Sequence, residues 1–421
     1  MNYILKNARV IDPSTDFDGV KDIYVTDGKF AAEAAADAET IDLKGYVLAP
    51  GFVDIHVHLR HPGKTAAETI HTGTMAAAAG GFTSIVAMPN TSPCADNPGT
   101  IQYVLTNAEN DGVVNVLPCG AMTKGLAGEE MAPLGGLKKA GVVAFSDDGK
   151  CVQNHELMRH IMEYSKSFDL PILDHAEDLQ LLAGGVMHEG YWSVLLGMKG
   201  MPAEAEELMI SRDALLAGKT GCRIHIQHVS TAGSVDIIRH AQVKGVKITG
   251  EATPHHISLT DVEIKKFDTN YKMNPPLRSE ADRMALIEGL RDNTISVIAT
   301  DHAPHTETEK LVEFDYAPFG IIGLETAIPV TLTELYHKGY LTLPQLISKF
   351  TKGPADVLGL PLGTLEVGRP ADITIIDTET EFTVDPSTFK SKSRNTPYGG
   401  YKAKGRAAGT MVGGTFVHRL F

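Results

Sequence analysis

Short apolar runs alternate with helix-like segments through the middle of this 421-residue chain. Eight runs have strand-like composition, at residues 51–58, 83–90, 114–121, 142–147, 171–175, 223–228, 247–253 and 295–301. Helix-like segments separate them, for example at 65–79, 154–167, 203–217 and 234–244. Eight strands with helical crossovers predict an α/β fold, a (β/α)8 TIM barrel. An open doubly wound sheet would show a similar alternation, so the count alone leaves that alternative open.

The two ends of the chain differ from this middle part. Residues 1–50 and 358–421 contain short β-rich runs bounded by polar residues and glycine, such as 3–5, 22–25 and 371–376. Similar ends around a different middle predict a small β-sandwich module built from both termini. We therefore expect residues 1–50 and 358–421 to form one composite module and residues 51–357 to form the barrel.

Composition narrows the classes of partner. Hydrophobic residues make up 43% of the chain, enough to bury a large core. The net charge is −14, and the lysines and arginines form no basic stripe. Nucleic acids and anionic membranes both require clustered positive charge, so neither is an expected partner. An anionic small-molecule substrate stays compatible, because it needs only one or two well-placed cations.

Cysteine use and hydropathy bear on the compartment. The four cysteines form no C-x-x-C pair, which predicts free thiols in a reducing compartment. The first ten residues show no secretory signal pattern, and no apolar run approaches the roughly 20 residues of a membrane helix. We expect a cytoplasmic protein.

Polar residues mark the C-terminal ends of the predicted strands. Parallel strands buried on both faces should be nearly all apolar, and the active sites of barrels lie at the rim where their strands end. Here successive strands end in residues that can bind metals or anions: His56, His58, Asn90, Asp148, His175, His228 and Asp301. This recurrence at one end of the barrel predicts a site there.

His56 and His58 are two residues apart on the first strand. Strand side chains alternate between faces, so both imidazoles should face the site, and Val53, Ile55 and Val57 should face the helices. Two such imidazoles can grip one cation, although a pair of buried, hydrogen-bonded histidines is the alternative. The other polar strand ends favour the metal.

Four histidines and two aspartates exceed the three protein ligands of a single catalytic zinc. They suit two metal ions, with Asp148 as the natural bridge between them. Asp301 could bind one metal and also carry a proton from water to a leaving nitrogen. A helix N-cap is the alternative role for that aspartate.

Arg60 follows His58 by two residues and could hold a substrate carboxylate with its planar guanidinium. An exposed arginine is the alternative. Asn90 and Asn274 could orient the same anion, or could serve the proline-rich turns in which they lie. The remaining histidines, including His225 and the pair 255–256, are expected to be structural or exposed.

These motifs resemble the dihydroorotases of the amidohydrolase superfamily, in their bacterial type I form. The resemblance runs through nearly the whole chain, at residues 50–60, 88–91, 145–149, 174–178, 228–231, 270–278, 299–305 and 318–320. The first of these motifs and the one around Asp301 are shared by several cyclic-amidase families. The motifs around Asn274 and Phe319 are more specific.

The resemblance implies two Zn²⁺ ions, bridged by Asp148 and by a water or hydroxide. It implies that His56 and His58 bind the first ion, that His175 and His228 bind the second, and that Asp301 is both ligand and catalytic proton carrier. The implied substrate-binding residues are His58, Arg60, Asn90, Asn274, His305, Phe319 and Gly320. The implied reaction is the reversible interconversion of N-carbamoyl-L-aspartate and L-dihydroorotate in de novo pyrimidine biosynthesis.

Two departures from the family pattern bear on this expectation. His61 stands where the family usually has glutamate. No lysine lies on the fourth strand, where the related dihydropyrimidinases, hydantoinases and allantoinases carry a carboxylated bridging lysine. Asp148 as the bridge therefore favours dihydroorotase over those alternatives.

Partners and motion are further expectations. A non-catalytic scaffold for aspartate transcarbamoylase is an alternative function, although such members lose metal ligands and this chain keeps six candidates. A homodimer and an association with aspartate transcarbamoylase are both compatible with the resemblance. The polar segment 306–317 is expected to act as a mobile lid over the site.

Overall fold

The computed structural model describes residues 1–421. The strands are β1 (Tyr3–Lys6), β2 (Arg9–Asp12), β3 (Phe17–Val20), β4 (Ile23–Thr26), β5 (Lys29–Ala31), β6 (Glu39–Asp42), β7 (Val47–Pro50), β8 (Phe52–Val57), β9 (Phe82–Ala87), β10 (Asn115–Gly120), β11 (Ala144–Phe145), β12 (Ile172–Asp174), β13 (Met187–His188), β14 (Gly200–Met201), β15 (Ile224–Ile226), β16 (Ile248–Ala252), β17 (Val297–Ile298), β18 (Ile373–Thr383), β19 (Lys402–Val412) and β20 (Thr415–Arg419).

The α-helices are α1 (Ile70–Ala79), α2 (Pro98–Asp111), α3 (Leu134–Ala140), α4 (His155–Ser167), α5 (Leu179–Leu182), α6 (Tyr191–Leu196), α7 (Glu204–Thr220), α8 (Ala232–Val243), α9 (Pro254–Ser258), α10 (Glu280–Arg291), α11 (Glu307–Lys310), α12 (Ala327–Thr331), α13 (Leu343–Phe350) and α14 (Lys352–Leu358). Short 3-10 turns lie at Lys124–Leu126, Asp261–Lys266, Thr269–Tyr271 and Pro386–Thr388, and a π-helical turn lies at Leu332–Tyr336. None of the helices combines the length and the apolar character needed to cross a membrane.

The middle of the chain is a (β/α)8 barrel, as predicted. Its strands are parallel and neighbour one another in the order β8, β9, β10, β11, β12, β15, β16, β17. The ring closes where the His58 N–H donates to the carbonyl of His302, 2.9 Å away, just after β17. This closure rules out the open doubly wound sheet, whose two edge strands would stay apart.

The face assignment on β8 was partly wrong. Val53 and Ile55 pack with Leu173 of β12, on the inside of the barrel, whereas Val57 packs in the cluster that contains the surrounding helices. An irregularity in the pairing of β8 with β9 lies between residues 54 and 57, and a bulge of this kind breaks the strict alternation of faces. His56 is fully buried, and its Nε2 lies 3.2 Å from Oδ1 of Asp148.

Both termini build the β module, which packs two sheets against each other. A six-stranded sheet runs in the order β20, β19, β18, β7, β2, β3, and a four-stranded sheet runs β5, β4, β1, β6. The chain ends share the larger sheet because β18 pairs with β7, with Ile375 opposite Leu48. Buried residues from both ends, such as Leu5, Val25 and Met411, form one core between the sheets. The exact boundaries at residues 50 and 357 stay a prediction.

Helix α1 begins at Ile70, five residues later than predicted. Thr69 ends the preceding loop as an N-cap, because its side chain accepts a hydrogen bond from the Thr72 N–H. The loop buries Glu68 completely, and its carboxylate accepts hydrogen bonds from the Ser391 hydroxyl and the Lys392 N–H. The barrel is thereby tied to the C-terminal segment.

Candidate active site

A cavity of about 210 Å³ opens at the C-terminal ends of the barrel strands. Its lining residues are His58, Arg60, Asn90, Asp148, Gly149, His175, His228, Asn274, Asp301, Ala303, His305, Phe319 and Gly320. Only Gly149 and Ala303 of these were not among the predicted site residues. The volume lies below the roughly 300–1,000 Å³ of drug-sized ligand pockets, which suits a small, polar substrate.

Two groups of potential metal ligands meet at Asp148. One consists of His56, His58 and Asp148, the other of Asp148, His175 and His228, and within each group the ligand atoms lie within 4.8 Å of one another. Oδ1 of Asp148 is 3.2 Å from Nε2 of His56 and 3.6 Å from Nδ1 of His175. One carboxylate is thus within reach of imidazoles from both groups.

The donor atoms fit a metal. Nε2 of His56 and Nδ1 of His175 are buried and have no hydrogen-bond partner in the protein. Such orphaned atoms cost free energy unless something else binds them. Imidazole nitrogens and a carboxylate are the ligands that zinc and similar divalent ions take in proteins.

Charge in the site is closely balanced. Burial alone would lower the pKa of His56, but Asp301, Asp148 and Glu251 around it raise that pKa well above its usual value. Burial opposes ionisation of Asp148, yet His56 and His58 hold the pKa of its carboxyl well below the usual range. Burial, with His175 and His56 nearby, keeps the pKa of His228 low. The carboxylates are therefore stabilised by positive charge beside them, and a bound cation would supply such charge.

Asp301 faces the first group. Its Oδ1 lies 3.0 Å from Nε2 of His58 and 3.4 Å from Nε2 of His56. It is not a helix N-cap, because Thr306 caps the next helix, α11.

The backbone is strained at two of the candidate ligands. Asp301 has φ +47° and His228 has φ +31°, a region that residues other than glycine rarely adopt. Backbone strain of this kind is concentrated at functional sites.

Glu251 on β16 was missed in the sequence. Its Oε1 is 2.7 Å from Nδ1 of His56, and its Oε2 is 3.1 Å from Nε2 of His225. A carboxylate behind an imidazole fixes its tautomer and makes it a more basic ligand. A buried acidic residue in an otherwise apolar barrel strand was the available signal. His225, expected to be structural, acts through this glutamate.

Asn90 touches the metal-ligand set. Its Oδ1 lies 2.9 Å from Nδ1 of His58, and its Nδ2 donates to Oδ2 of Asp148 at 3.0 Å. The amide therefore orients one residue of the first group and the shared carboxylate. It also lines the cavity, where it was expected to contact the substrate.

The neighbouring Asp147, by contrast, is occupied elsewhere. Its carboxylate accepts hydrogen bonds from the Met122 N–H at 2.7 Å and from the Thr123 N–H at 3.0 Å. Of the two adjacent aspartates at the end of β11, only Asp148 faces the cavity.

Arg60 lies at the rim with its guanidinium held at one end. Its Nε donates to the carbonyl of Pro304 at 3.1 Å, and the terminal nitrogens have no protein acceptor. Its backbone has φ +55°, again in the left-handed region. The free end of a guanidinium, in a cavity that it lines, is suited to a carboxylate.

The opposite wall presents further polar groups. Nδ2 of Asn274 donates to Oε1 of Glu177 at 2.7 Å, while its Oδ1 is buried without a partner. Nε2 of His305 lies 2.9 Å from the carbonyl of Phe319, so Nε2 carries the proton and Nδ1 is an acceptor. Burial, with Arg60 and Lys310 nearby, lowers the pKa of His305 to about 3, which keeps it neutral. The Gly320 N–H donates to the carbonyl of Lys272 at 3.0 Å.

Several residues lie outside this arrangement. His61 contacts the Tyr103 hydroxyl at 3.0 Å and does not line the cavity. Lys150, the nearest lysine in sequence after Asp148, is exposed and does not line it either. His256 spans Thr253 and the carbonyl of Pro275, a structural role as expected.

The predicted lid, residues 306–317, is tied down at several points. Nζ of the buried Lys310 donates to the carbonyls of Thr269 at 3.0 Å and Pro318 at 2.8 Å. Nζ of Lys272 donates to the carbonyls of Phe314 and Asp315 at 2.7 and 3.0 Å. Movement of this segment stays a prediction, and it would have to break or carry these contacts.

Comparison with known proteins bears directly on this site. Residues 45–234 match the family model described as Dihydro-orotase-like, and residues 281–418 match that of the Amidohydrolase family. The chain is 53% identical over 421 residues to a dihydroorotase from Pelotomaculum thermopropionicum, covering 99% of this chain and 98% of the relative. The chain belongs to the dihydroorotase family. A dihydroorotase from Syntrophotalea carbinolica is 51% identical over 424 residues, covering all of both chains.

Solved structures of related enzymes have the same fold as this chain. L-hydantoinase from Arthrobacter aurescens superposes with a TM-score of 0.90 at 28% identity, covering 99% of this chain and 96% of that one. A dihydropyrimidinase from Brevibacillus agri gives a TM-score of 0.85 at 25% identity, covering 100% and 95%. Family and fold together make this dihydroorotase family member a metal-dependent cyclic amide hydrolase with a small-molecule substrate.

Proposed function

We propose that this enzyme interconverts N-carbamoyl-L-aspartate and L-dihydroorotate, the reaction for which its dihydroorotase relatives are named. The observation that carries the proposal is the juxtaposition of two ligand groups sharing Asp148 with the free guanidinium end of Arg60. The first arrangement suits amide hydrolysis, and the second suits a substrate that bears a carboxylate. Both face one small cavity.

The metal content proposed is two Zn²⁺ ions. His56 and His58 would hold one, His175 and His228 the other, with Asp148 and a water or hydroxide between them and Asp301 completing the set. Bound metal ions of this kind activate water at neutral pH and polarise a carbonyl. The orphaned nitrogens of His56 and His175 support this assignment.

The protein's own groups then divide the work. In the hydrolytic direction Asp301 takes a proton from the attacking water and delivers it to the ring nitrogen as the C–N bond breaks, which consumes one water. Ring closure reverses these steps. Arg60 holds the substrate carboxylate with the free end of its guanidinium, and His305 contacts the substrate as a neutral imidazole. The unpartnered Oδ1 of Asn274 accepts a ring N–H.

The substrate contacts assigned to His58, Asn90, Phe319 and Gly320 are also part of the proposal. All four residues line the cavity. His58 and Asn90 contact the substrate from the side of the ligand groups. His58 belongs to the first group, and Asn90 is hydrogen-bonded to His58 and Asp148. Phe319 and Gly320 flank the substrate ring from the opposite wall.

A dihydropyrimidinase or hydantoinase is the second candidate, because solved members superpose closely on this chain. A ring substrate without a carboxylate would leave the free end of the Arg60 guanidinium with no anion to bind. The exposed position of Lys150 also speaks against a lysine between the metals. An allantoinase is disfavoured by the same lysine argument. The non-catalytic scaffold is disfavoured because all six candidate ligands are present.

We further propose a cytoplasmic location, supported by four free cysteines. Two assemblies are also proposed: a homodimer and a complex with aspartate transcarbamoylase.

The decisive experiment on function pairs elemental analysis with assays of dihydroorotate, dihydrouracil and allantoin. We expect two zinc ions per chain and turnover of dihydroorotate far above that of the neutral rings. An active enzyme without bound metal, or a preference for dihydrouracil, would overturn the proposal.

A further inference from the structure

We propose that Asn395, in the C-terminal segment, is a positioning residue that sets the geometry of the substrate pocket. Its Oδ1 accepts a hydrogen bond from the His305 N–H at 3.1 Å. Its Nδ2 donates to the carbonyls of Ala303 at 3.0 Å and Gly320 at 3.1 Å. Its own backbone carbonyl accepts from the Ile322 N–H at 2.9 Å. One buried residue thus joins two loops, 303–305 and 319–322.

The partners determine the orientation of the amide. All three partners of the side chain are backbone groups, and an N–H can only donate while a carbonyl can only accept. The oxygen of Asn395 must therefore face His305, and its nitrogen must face the two carbonyls. The side chain uses one acceptor and both donors, so an aspartate of the same shape cannot replace it.

The two loops form one wall of the cavity and are packed closely together. A Cβ added to Gly320, whose φ is +119°, would lie 2.7 Å from Cβ of Ala303. Nε2 of His305 lies 2.9 Å from the carbonyl of Phe319, which links the loops on the pocket side. Asn395 links them on the far side. Without it, the carbonyl of Gly320 and the His305 N–H lose this partner; the Ala303 N–H still donates to the carbonyl of Ile321 at 2.7 Å, so the loops stay joined but shift relative to each other.

The segment that carries Asn395 is itself anchored to the barrel. The Ser393 hydroxyl donates to the carbonyl of Ala67 at 2.7 Å, and the Lys392 N–H donates to Glu68 at 3.1 Å. Both partners lie in the loop before α1. A segment of the C-terminal part of the chain therefore supports the wall that faces the substrate, and small displacements there cost rate, since about 1 Å of misplacement can cost on the order of 10²-fold.

The test compares Asn395→Asp and Asn395→Ala with the control Ser393→Ala. The control removes one of the hydrogen bonds that anchor the segment and none to either pocket loop; the Ser391 hydroxyl and the Lys392 N–H still bind Glu68, so Asn395 stays in place. We expect the Asn395 variants to lower kcat/KM for carbamoyl aspartate about tenfold or more, through a higher KM together with a lower kcat, with unchanged metal content. We expect Ser393→Ala to leave kcat/KM within about twofold of the wild type.

Hydrogen–deuterium exchange supplies a readout that does not need activity. Amides in residues 303–306 and 319–323 should exchange faster in Asn395→Ala than in Ser393→Ala, compared at equal distance below their melting temperatures. Equal exchange in these loops, or equal kcat/KM in the two variants, would overturn the inference. It rests on the proposed function only for the choice of substrate: a wild type inactive on dihydroorotate would refute that function, while the exchange result would still decide the role of Asn395.

Discussion

Nδ1 of His56 lies 2.7 Å from Oε1 of Glu251, so a carboxylate on the seventh barrel strand orients a candidate ligand on the first. Glu251→Gln keeps the shape but removes the charge behind the imidazole. Because such partners raise ligand basicity, we expect metal affinity to fall about 10- to 100-fold. Competition with a chelator, followed by elemental analysis, measures this loss.

Glu334→Gln is the matched control for that variant. Glu334 is also buried, but its carboxylate accepts from the Tyr401 hydroxyl and contacts no residue of the cavity. We expect the control to retain metal as the wild type does. Equal rates of metal loss from both glutamine variants would show that the Glu251 carboxylate does not tune the site.

Asp301→Asn tests the proton carrier. The amide preserves the size of the side chain beside His58 and His56 but cannot take a proton from water. General acid–base groups typically contribute about 10²- to 10⁴-fold, so kcat should fall by at least about 10²-fold. Steady-state kinetics give kcat, and the melting temperature checks that the fold is intact. A folded, metal-loaded variant with more than a tenth of the wild-type kcat would exclude this role.

Arg60 should decide the preference for an acid. Arg60→Lys retains the charge but loses the planar fork, and Arg60→Met loses both. Since a hydrogen bond to a charged group is worth about 1.5–3 kcal/mol, Arg60→Met should raise KM for carbamoyl aspartate about 10- to 100-fold. The KM of Arg60→Lys should lie between those of the wild type and Arg60→Met. Turnover of neutral dihydrouracil should change little, and a parallel loss on both substrates would indicate a structural arginine instead.

His188 should contribute to the pH dependence of stability. Burial and the adjacent Arg278, whose guanidinium donates to Nδ1 at 3.1 Å, lower the pKa of His188 from 6.5 to about 4. Between these values the unfolded chain binds the proton and the folded chain does not. This histidine therefore does not reduce the free energy of unfolding above pH 6.5. As pH falls from 6.5 toward 4 it lowers that free energy, by less than about 1.4 kcal/mol per pH unit after screening.

His188→Gln can still accept from Arg278 but does not titrate. Its melting temperature should fall less than that of the wild type between pH 7 and pH 5. His160→Gln, on the exposed face of α4, is the control and should follow the wild type. If the His188 and His160 variants gave parallel curves, the titration of His188 would not contribute.

Local chemistry made most of this site predictable. His56, His58, His175 and His228 could be found because ionisable side chains at the ends of apolar strands are costly without a function. The eight strand runs could be found because parallel strands buried on both faces are continuously apolar. The resemblance to dihydroorotases rested on the same residues, and the family match confirms it.

Only the tertiary structure decided which groups meet across the barrel. The faces of Val53 and Ile55 were wrong because a pairing irregularity on β8, set by its neighbour, interrupts the alternation. Glu251 offered only an acidic residue in a strand as a signal, because its partner His56 lies 195 residues away, and the partners of the Asn395 side chain lie 75 to 92 residues away.

By itself the sequence determined the alternation of eight strands with helices, the β-rich ends and the ligand types at the strand ends, because periodicity and burial cost act over a few residues. The tertiary structure alone decided that the Asp147 carboxylate is bound by the Met122 and Thr123 amides, and that the end of the Arg60 guanidinium is free. Those outcomes depend on distances between strands and loops far apart in the chain, and closure of the barrel sets those distances.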